Sequence, residues 1–540
     1  MGRQDTDCDV LIVGGGPVGL GLALDLVLGG LSVRVLERST ALHSIPKGQN
    51  LTQRSGEHFR RWGVSEAVRQ ASPIPRSFGN AGIITWGKLL DTYTYDWFVR
   101  AKVSAYYFAE NERLPQYRLE QVLRDRLEHL APGTLVTGSK VVDLVQDDSA
   151  VTVKFENDGA GSAQKASASF VVGCDGARSQ IRNLAGIEQA TDHSGPKMAL
   201  LVFRSMALDH LLECYPGKSI YNVVNPTMDG YWQFLGRVDL DGGWFYHAPV
   251  PEDATVENYD FRGHLHEMVG QSFDLEFEHI GFWDLRISHA KTYQNDRVFI
   301  AGDAGHSHPP YGGYGVNTGL EDARNLSWKL LARLHGWAGG DLLASYTRER
   351  HPVFASTAQD FIERMILDFR SFCANHSPEK DRADFEAAWL SRAEGGDADV
   401  TQFLPHYAGS SLVWGQPGAQ SGAKGVHTFA ALPGHHLAPP PTDISMPGLE
   451  SELWEAISSG FVLFNLDENS GRADEFKQAA QSLGVPLRVL DQNSKELRDH
   501  YGCDAMLVRP DQFVAWTDAA SEHNAKAVLS RAIGAGDSES

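Results

Sequence analysis

Three glycines near the start of the chain, Gly14, Gly16 and Gly19, have the spacing of a loop that binds phosphate groups. Without side chains, such a loop lets backbone N–H groups approach a pyrophosphate at the first turn of a helix, where partial positive charge favours an anion. Glu37 closes the next apolar run, where its carboxylate can accept hydrogen bonds from a ribose. These four residues predict a dinucleotide site, and the pattern alone does not separate FAD from NAD.

The apolar pattern around these residues predicts the elements that must position them. Residues 10–13 predict a short buried strand, the stretch from Gly19 to residue 28 predicts a helix, and residues 31–38 predict a second strand. This order is that of a unit with two parallel strands and a helix between them. A tight turn in an unrelated α/β protein is the alternative, and it does not explain the position of Glu37.

A second glycine-rich stretch, GDAGHSHPPYGGYGVNTG at 302–319, precedes a predicted helix. Its glycines expose main-chain amides at the start of that helix, where a negative group is favoured. A glycine-rich surface loop is the alternative. His306 and His308 have no carboxylate or cysteine at ligand spacing, so we predict no metal site.

Composition limits the classes of partner and compartment. The 540 residues suffice for two or three domains, and the net charge of -21 disfavours nucleic acid and anionic membranes. The apolar run at 10–31 is interrupted by glycines and a proline and follows three aspartates, so we expect neither a membrane span nor a signal peptide. The five cysteines form no CxxC pair, which is typical of the reducing cytoplasm.

A third motif, GCDGARSQ at 173–180, follows another predicted strand, and with it the chain resembles a known family. GxGxxG at 14–19, DG at 175–176, and GD at 302–303 with its Pro-Pro and glycine tail resemble the motifs of the single-component (class A) FAD-dependent aromatic hydroxylases. The resemblance is to the phenol hydroxylase and 2,4-dichlorophenol 6-monooxygenase branch. It implies FAD as cofactor, NADPH or NADH as co-substrate, O₂, a small aromatic substrate and a homo-oligomer.

The resemblance also implies which residues hold FAD. They are Gly14, Gly16, Gly19, Glu37, Arg38, Lys47, Gln116, Asp175, Arg178, Gly302, Asp303, Gly315, Val316 and Asn317. Asp303 would bind the ribityl chain, and the N–H groups of Val316 and Asn317 would face the flavin N1–C2=O edge, which becomes anionic on reduction. Lys47 stands where relatives often carry an arginine, so it keeps the charge and loses the bidentate fork.

The motifs and the intervening segments together predict an α/β fold. We expect a Rossmann-like FAD-binding domain of residues 1–75, 111–190 and 290–370, and an inserted β-sheet substrate domain of residues 76–110 and 191–289. Within the latter, FGNAGIITW and AKVSAYYFAE (78–110) are expected to join the sheet. Residues 371–425 predict helices and then a linker, and residues 426–540 resemble a thioredoxin-like C-terminal domain whose last hairpin turns at Pro510-Asp511-Gln512. Without CxxC, disulfide exchange is excluded there.

The stretch 219–250 is rich in aromatic and β-branched residues, which suits a pocket for a planar aromatic substrate. The candidate substrate-pocket residues are Tyr231, Phe245 and His289, with a core role as the alternative for each. The candidate catalytic residues are His247, Gln49 and Pro310. Gln49 stands where phenol hydroxylases often carry Asp or His, so it can orient a hydroxyl group and cannot take its proton. Pro310 offers no N–H near the reactive flavin C4a, and a structural histidine is the alternative for His247.

The family pattern implies the reaction. NAD(P)H would reduce FAD, O₂ would add as a C4a-hydroperoxide, and oxygen would pass to an aromatic ring ortho to a hydroxyl group. Two alternatives stay open. One is a flavin oxidase or dehydrogenase without oxygen insertion, and the other is a flavin-bearing protein that sequesters an aromatic compound.

Overall fold

The computed structural model describes residues 6–78, 81–158, 162–441, 448–521 and 523–536. The strands are β1 (Cys8–Val13), β2 (Val33–Leu36), β3 (Asn50–Leu51), β4 (Gly82–Trp86), β5 (Thr94–Trp97), β6 (Glu112–Arg113), β7 (Leu135–Val136), β8 (Ser139–Gln146), β9 (Val151–Asn157), β10 (Gln164–Gly173), β11 (Gln189–Arg204), β12 (Ile220–Val224), β13 (Gln233–Arg237), β14 (Gly243–Pro249), β15 (Glu276–Ala290), β16 (Gln294–Asn295), β17 (Val298–Ile300), β18 (His306–Ser307), β19 (Phe403–His406), β20 (Gly422–Lys424), β21 (Phe461–Asn465), β22 (Leu487–Asp491), β23 (Ala505–Val508) and β24 (Val514–Thr517).

The helices are α1 (Pro17–Leu28), α2 (Gln53–Trp62), α3 (Ser65–Ala71), α4 (Gln116–Leu130), α5 (Gln180–Leu184), α6 (Met206–Leu211), α7 (Phe261–Val269), α8 (Tyr314–His335), α9 (Ser345–Ser356), α10 (Arg364–Asn375), α11 (Arg382–Glu394), α12 (Ala398–Thr401), α13 (Leu449–Ser459), α14 (Arg472–Leu483), α15 (Lys495–Tyr501) and α16 (Ala525–Ala532). Within the described ranges, none of these helices has both the length and the apolar character needed to cross a bilayer.

The first sheet is built on parallel strands and confirms the expected Rossmann-like arrangement. Its order is β16-β17-β10-β1-β2-β7, with β9 and β8 attached antiparallel beside β10. The strands β17, β10, β1, β2 and β7 run parallel, and apolar side chains of α1 and α8 pack in the same core as those of β1 and β10. Because parallel strands end at one edge, the turns after β1, β10 and β17 lie side by side.

The second sheet has the order β18-β15-β11-β14-β13-β12-β4-β5 and contains the strands predicted at 219–250. Its pairs are antiparallel except for β12 with β4. The prediction that residues 101–110 join this sheet is wrong. After β5, Phe98 has φ 64°, which breaks the extended backbone, and the chain continues as a 3₁₀-helix at Arg100–Tyr106.

The third sheet confirms the thioredoxin-like prediction. Its order is β22-β21-β23-β24, with β21 and β22 parallel around α14 and the last two strands forming an antiparallel hairpin. The segment 371–425 contains part of α10, then α11 and α12, and it also forms the small sheet of β19 and β20. The stretch interpreted as irregular therefore contributes paired strands.

The hairpin between β23 and β24 is joined to the first domain by buried charges. Arg509 contacts both carboxylate oxygens of Glu349 at 2.6 and 2.9 Å and Asp511 at 2.6 Å, and Lys329 contacts Glu349 at 2.7 Å. Burial alone would raise the pKa of Glu349, but the positive charges of Arg509 and Lys329 hold it below its ordinary value. The same burial lowers the pKa of Lys329 to about 8. Each of these residues therefore keeps its charge in the buried site only while its oppositely charged partners are present.

Replacing Arg509 by Met should destabilise the protein strongly, since it leaves Glu349 and Asp511 buried with less compensation. Removing one partner of a buried ion pair costs about 3–5 kcal/mol, and we expect a loss of this size in chemical denaturation. The matched control is Arg472→Met, which breaks the more exposed 2.8 Å contact with Asp518 in the same domain and should cost about 1 kcal/mol or less. Equal losses in the two variants would contradict the role given to the buried group.

Candidate active site

The turns after β1, β10 and β17 line one cleft of about 520 Å³, and its far wall comes from the second sheet. The structure brings together around this cleft the predicted residues Gly14, Gly16, Glu37, Arg38, Lys47, Gln49, Gln116, Asp175, Arg178, Phe245, His247, Asp303, Pro310, Gly315 and Val316. The predicted residues that do not line it are Gly19, Gly302, Asn317, Tyr231 and His289.

The glycine turn has two tight positions and one open position. A Cβ at Gly14, where φ is +108°, would lie 2.3 Å from the carbonyl oxygen of Cys174, and one at Gly19 would lie 2.0 Å from the carbonyl oxygen of Gly14. By contrast, nothing lies within 4 Å of a Cβ built on Gly16, and the first turn of α1 has no side-chain cap. The uncapped amides facing open space fit a bound phosphate group.

The charged residues along the cleft also fit a dinucleotide. The Glu37 carboxylate accepts hydrogen bonds from the amides of Gly15 (2.6 Å) and Ser39 (2.7 Å), so it is fixed at the rim of the cleft. Arg38 and Lys47 are exposed and line the same wall, where two cations can approach phosphate oxygens. The carboxylate of Asp303 is likewise exposed in the cleft. The carboxylates can bind the hydroxyl groups of FAD, and the cations and the uncapped amides can bind its phosphates.

Asp175 has a second task that the sequence did not indicate. Its carboxylate accepts hydrogen bonds from the Ser179 hydroxyl (2.5 Å) and the amides of Gln180 (2.7 Å) and Ile181 (3.1 Å). It therefore binds the first two amides of α5, beside the N-cap Ser179, and stabilises the turn whose Cys174 lies against Gly14. Arg178, on the same turn, is exposed and lines the cleft.

The loop after β17 is fixed at its base by Asp322 of α8. This carboxylate accepts hydrogen bonds from the Gly302 amide (2.9 Å), His306 Nε2 (2.6 Å) and Arg350 Nε (2.6 Å). Burial would raise the pKa of Asp322, but His306 and Arg350 hold it below its ordinary value. His306 thus serves the loop rather than the cleft.

The side chain of Asn317 connects the tip of this loop to the segment 50–55. Its amide oxygen accepts hydrogen bonds from the Thr52 amide (2.8 Å) and the Ser55 hydroxyl (2.6 Å). Its amide nitrogen donates to the carbonyl oxygens of Asn50 (2.8 Å) and Gly313 (2.7 Å). Gly313 has φ +65°, and a Cβ there would lie 3.0 Å from Asn50, so the loop and the segment 48–52 are in close contact.

At the far wall, one row of side chains crosses the second sheet. Phe234 of β13 pairs with Asn222 of β12 and with His247 of β14. The His247 ring lies 6.3 Å from the ring of Phe234 and 5.8 Å from that of Phe245. Trp283 Nε1 donates a hydrogen bond to His247 Nδ1 (3.1 Å), and burial lowers the pKa of His247 to about 4. The wall is aromatic, with one neutral histidine in it.

Arg113 is a cleft residue that sequence reasoning missed. It is buried, and it donates to Asn50 Oδ1 (2.8 Å), to the carbonyl oxygen of Arg237 (2.8 Å) and, at 3.5 Å, to Gln49 Oε1. These partners are neutral, and burial lowers the pKa of Arg113 to about 9. The sequence could have indicated Arg113, because it lies three residues before Gln116 and both residues line the cleft.

Tyr231 and His289 lie away from the cleft wall. Tyr231 belongs to the core around Trp232, and the guanidinium of Arg370 lies 6.0 Å from the centre of its ring. His289 lies against the rings of His351 (5.0 Å) and Phe354 (6.4 Å). Tyr231 precedes β13 and His289 belongs to β15, and neither residue lines the cleft.

Comparison with known proteins adds family descriptions to this geometry. Residues 7–360 match the family described as FAD binding domain, and residues 430–536 match the one described as aromatic-ring hydroxylase, C-terminal. The 4-methyl-5-nitrocatechol 5-monooxygenase of Burkholderia sp is 28% identical over 565 residues, covering 98% of this chain and 97% of its own. The rifampicin monooxygenase of Streptomyces venezuelae is 35% identical over 358 residues, covering 64% and 68%. The solved structure of RebC with bound 7-carboxy-K252c has a TM-score of 0.82 at 26% identity, covering 98% of this chain and 99% of that one.

Replacing Asn317 by Ala should weaken FAD binding at least about tenfold, because it removes three buried hydrogen bonds to the segment 50–55 and one within the glycine loop, each worth about 1 kcal/mol. Titration of the apoprotein with FAD, followed by flavin fluorescence, measures the change. Asn225→Ala is the matched control, since Asn225 caps a turn of the second sheet away from the cleft. Unchanged FAD affinity in the Asn317 variant would contradict this role.

Acidification should destabilise the protein partly through His247. Because burial lowers its pKa from 6.5 to about 4, the folded protein binds fewer protons at this ring than the unfolded chain between those values. Stability is therefore lost as pH falls through that window, by about 3 kcal/mol at most. His247→Gln, which does not titrate, should lose less stability than the wild type between pH 7 and 4.5 in thermal denaturation. An equal loss would show that His247 titrates normally.

Proposed function

This chain belongs to the FAD-binding aromatic-ring hydroxylases, as its motifs predicted, and we propose that it hydroxylates a phenolic or fused aromatic compound with NADPH or NADH as reductant. The enzyme is an FAD-dependent monooxygenase. One observation supports the aromatic substrate above others: the cleft that fits FAD continues to a wall of Phe234, Phe245 and His247 on the second sheet. Flat aromatic faces beside a cofactor cradle suit a planar ring.

The residues that would hold FAD act by charge and by exposed main chain. Glu37 would accept hydrogen bonds from the ribose, and the amides at the start of α1 would bind the pyrophosphate. The first turn of α8, at Gly315 and Val316, would favour negative charge at the pyrimidine edge by about 0.3–2 kcal/mol. When bound, FAD supplies the activation of O₂ and the transfer of one oxygen atom.

The remaining residues would position the substrate and exclude water. Phe234 and Phe245 would contact the faces of the ring, and Pro310 would present no N–H to water at the reacting edge. Gln49, whose Oε1 lies 3.5 Å from Arg113 Nη2, would orient a hydroxyl group without accepting its proton. The absence of a carboxylate at position 49 leaves donors and a cation at this end of the cleft.

We also place the enzyme in the cytoplasm. All five cysteines are free, and Cys8 and Cys503 are buried. Burial raises the pKa of each of these two thiols to about 12, so they remain unreactive. A chain with five free thiols is suited to a reducing compartment.

The test is oxidation of NADPH and NADH by the FAD-loaded enzyme with phenols, resorcinols and larger polyketide aromatics, with products analysed after ¹⁸O₂ labelling. We expect a substrate that stimulates NAD(P)H oxidation and gains one labelled oxygen atom, with no product from the FAD-free protein. Stimulated oxidation without label would instead support an oxidase or dehydrogenase. Tight binding without consumption of reductant would support a sequestering protein.

A further inference from the structure

The contact between Trp283 and His247 determines which nitrogen of the histidine carries a proton. An indole N–H can only donate a hydrogen bond, and Trp283 Nε1 lies 3.1 Å from His247 Nδ1. The Nδ1 atom must therefore be the acceptor and carries no proton. In a neutral imidazole the proton is then on Nε2.

The Nε2 atom is the part of His247 left for a ligand. The residue lines the cleft, and within the described part of the chain its hydrogen bond is the one from Trp283 to Nδ1. Its ring neighbours are Phe234 on β13, Phe245 on the same strand and Trp283 on β15, which bring no charge to the histidine. In these surroundings the ring stays neutral, because burial lowers its pKa to about 4.

The same end of the cleft contains further donors without a partner. Gln49 Nε2 and Arg113 Nε are buried and form no hydrogen bond with the described residues. A Cβ built on Gly236 would lie 3.4 Å from Arg113 Nη2 and 2.3 Å from the Phe245 ring, so Arg113, Phe245 and His247 are successive neighbours. A wall with several donors and a buried cation is complementary to oxygen atoms that accept hydrogen bonds.

We propose that Trp283 positions His247 as a hydrogen-bond donor, so that the cleft selects aromatic substrates that present an acceptor oxygen to Nε2. A ring carbonyl, a nitro group or a phenolate has this chemistry. The proposal rests on the proposed function and specifies its substrate class. It also excludes His247 as the general base for the substrate, since the nitrogen that faces the ligand already carries a proton.

The first experiment compares three ligands that differ in oxygen chemistry: 2-acetylnaphthalene (acceptor only), 2-naphthol (donor and acceptor) and 2-ethylnaphthalene (neither). Binding to the FAD-loaded enzyme is followed by the change in flavin absorbance. We expect 2-acetylnaphthalene and 2-naphthol to bind about 3- to 10-fold more tightly than 2-ethylnaphthalene, the range of one neutral hydrogen bond. Tighter binding of 2-naphthol alone, or equal affinity for the three, including no measurable binding of any, overturns the proposal.

Variants separate the hydrogen bond from packing. Trp283→Phe keeps an aromatic ring and removes the indole N–H, and His247→Leu removes the donor, so both should lose the preference for 2-acetylnaphthalene. His247→Gln places an amide N–H near the same position and should retain it. Trp244→Phe is the matched control, because its indole donates to the Ser205 carbonyl oxygen on the opposite face of the same sheet (3.1 Å). Loss of the preference in this control, or its retention in Trp283→Phe, contradicts the assignment.

A second measurement does not depend on any ligand. In the FAD-loaded enzyme with ¹⁵N-labelled histidine, the His247 signals, assigned with His247→Gln, should show a protonated Nε2 and a bare Nδ1 from pH 6 to 8. In Trp283→Phe the two tautomers should mix. A proton on Nδ1 in the wild type overturns the proposal, whatever the ¹⁸O₂ experiment shows. If NAD(P)H is oxidised without oxygen insertion while this tautomer and the ligand preference persist, the proposed function fails and the donor role stands.

Discussion

The shape of the active-site cleft depends on the side-chain amide of Asn317, which joins the glycine loop before α8 to the segment 50–55. Asn317 receives hydrogen bonds from Thr52 and Ser55 and donates to the carbonyl oxygens of Asn50 and Gly313. One wall is the segment that brings Gln49 to the cleft, and the other is the glycine loop that exposes the start of α8. Three of these four bonds run between the two segments, and the fourth stabilises the loop itself, so the amide fixes how the segments lie against each other.

The segment that Asn317 holds is in turn connected to the C-terminal domain. Arg54, two residues after Thr52, contacts Glu321 on α8 (2.8 Å) and Glu57 on α2 (2.9 Å), and donates to the carbonyl oxygen of Asp511 (2.7 Å). The tip of the last hairpin therefore touches the two helices whose first turns Asn317 joins. The C-terminal domain has no CxxC motif, and its buried charges join it to the helices α8 and α9.

Local patterns made much of this molecule predictable. The spacing of Gly14, Gly16 and Gly19 and the acid at Glu37 are contained in one short βαβ unit, so the sequence alone predicted the cofactor cradle. The β-branched and aromatic runs at 219–250 likewise predicted strands. The pattern did not predict where β5 ends, because the end is marked by one backbone angle, the φ of 64° at Phe98.

Local sequence patterns could not predict contacts between residues that are far apart in the chain. Asn317 and Thr52 are 265 residues apart, and Trp283 and His247 are 36 apart, so no local periodicity could indicate either contact. Phe245 and His247 line the cleft while Trp244 and Tyr246 lie in the core of the opposite face, and only the alternation of side chains along β14 and its register with β13 decide this.

The protonation pattern at the far wall favours one way of activating a phenol. A base would have to take the proton itself, but the unprotonated nitrogen of His247, Nδ1, already accepts a hydrogen bond from Trp283, and Gln49 does not titrate. Arg113, by contrast, keeps a positive charge in a buried site although its neighbours are neutral. Nearby donors and a cation lower the pKa of a bound hydroxyl group by stabilising its ionised form. Such a wall would therefore favour the ionised form of a bound phenol by electrostatics.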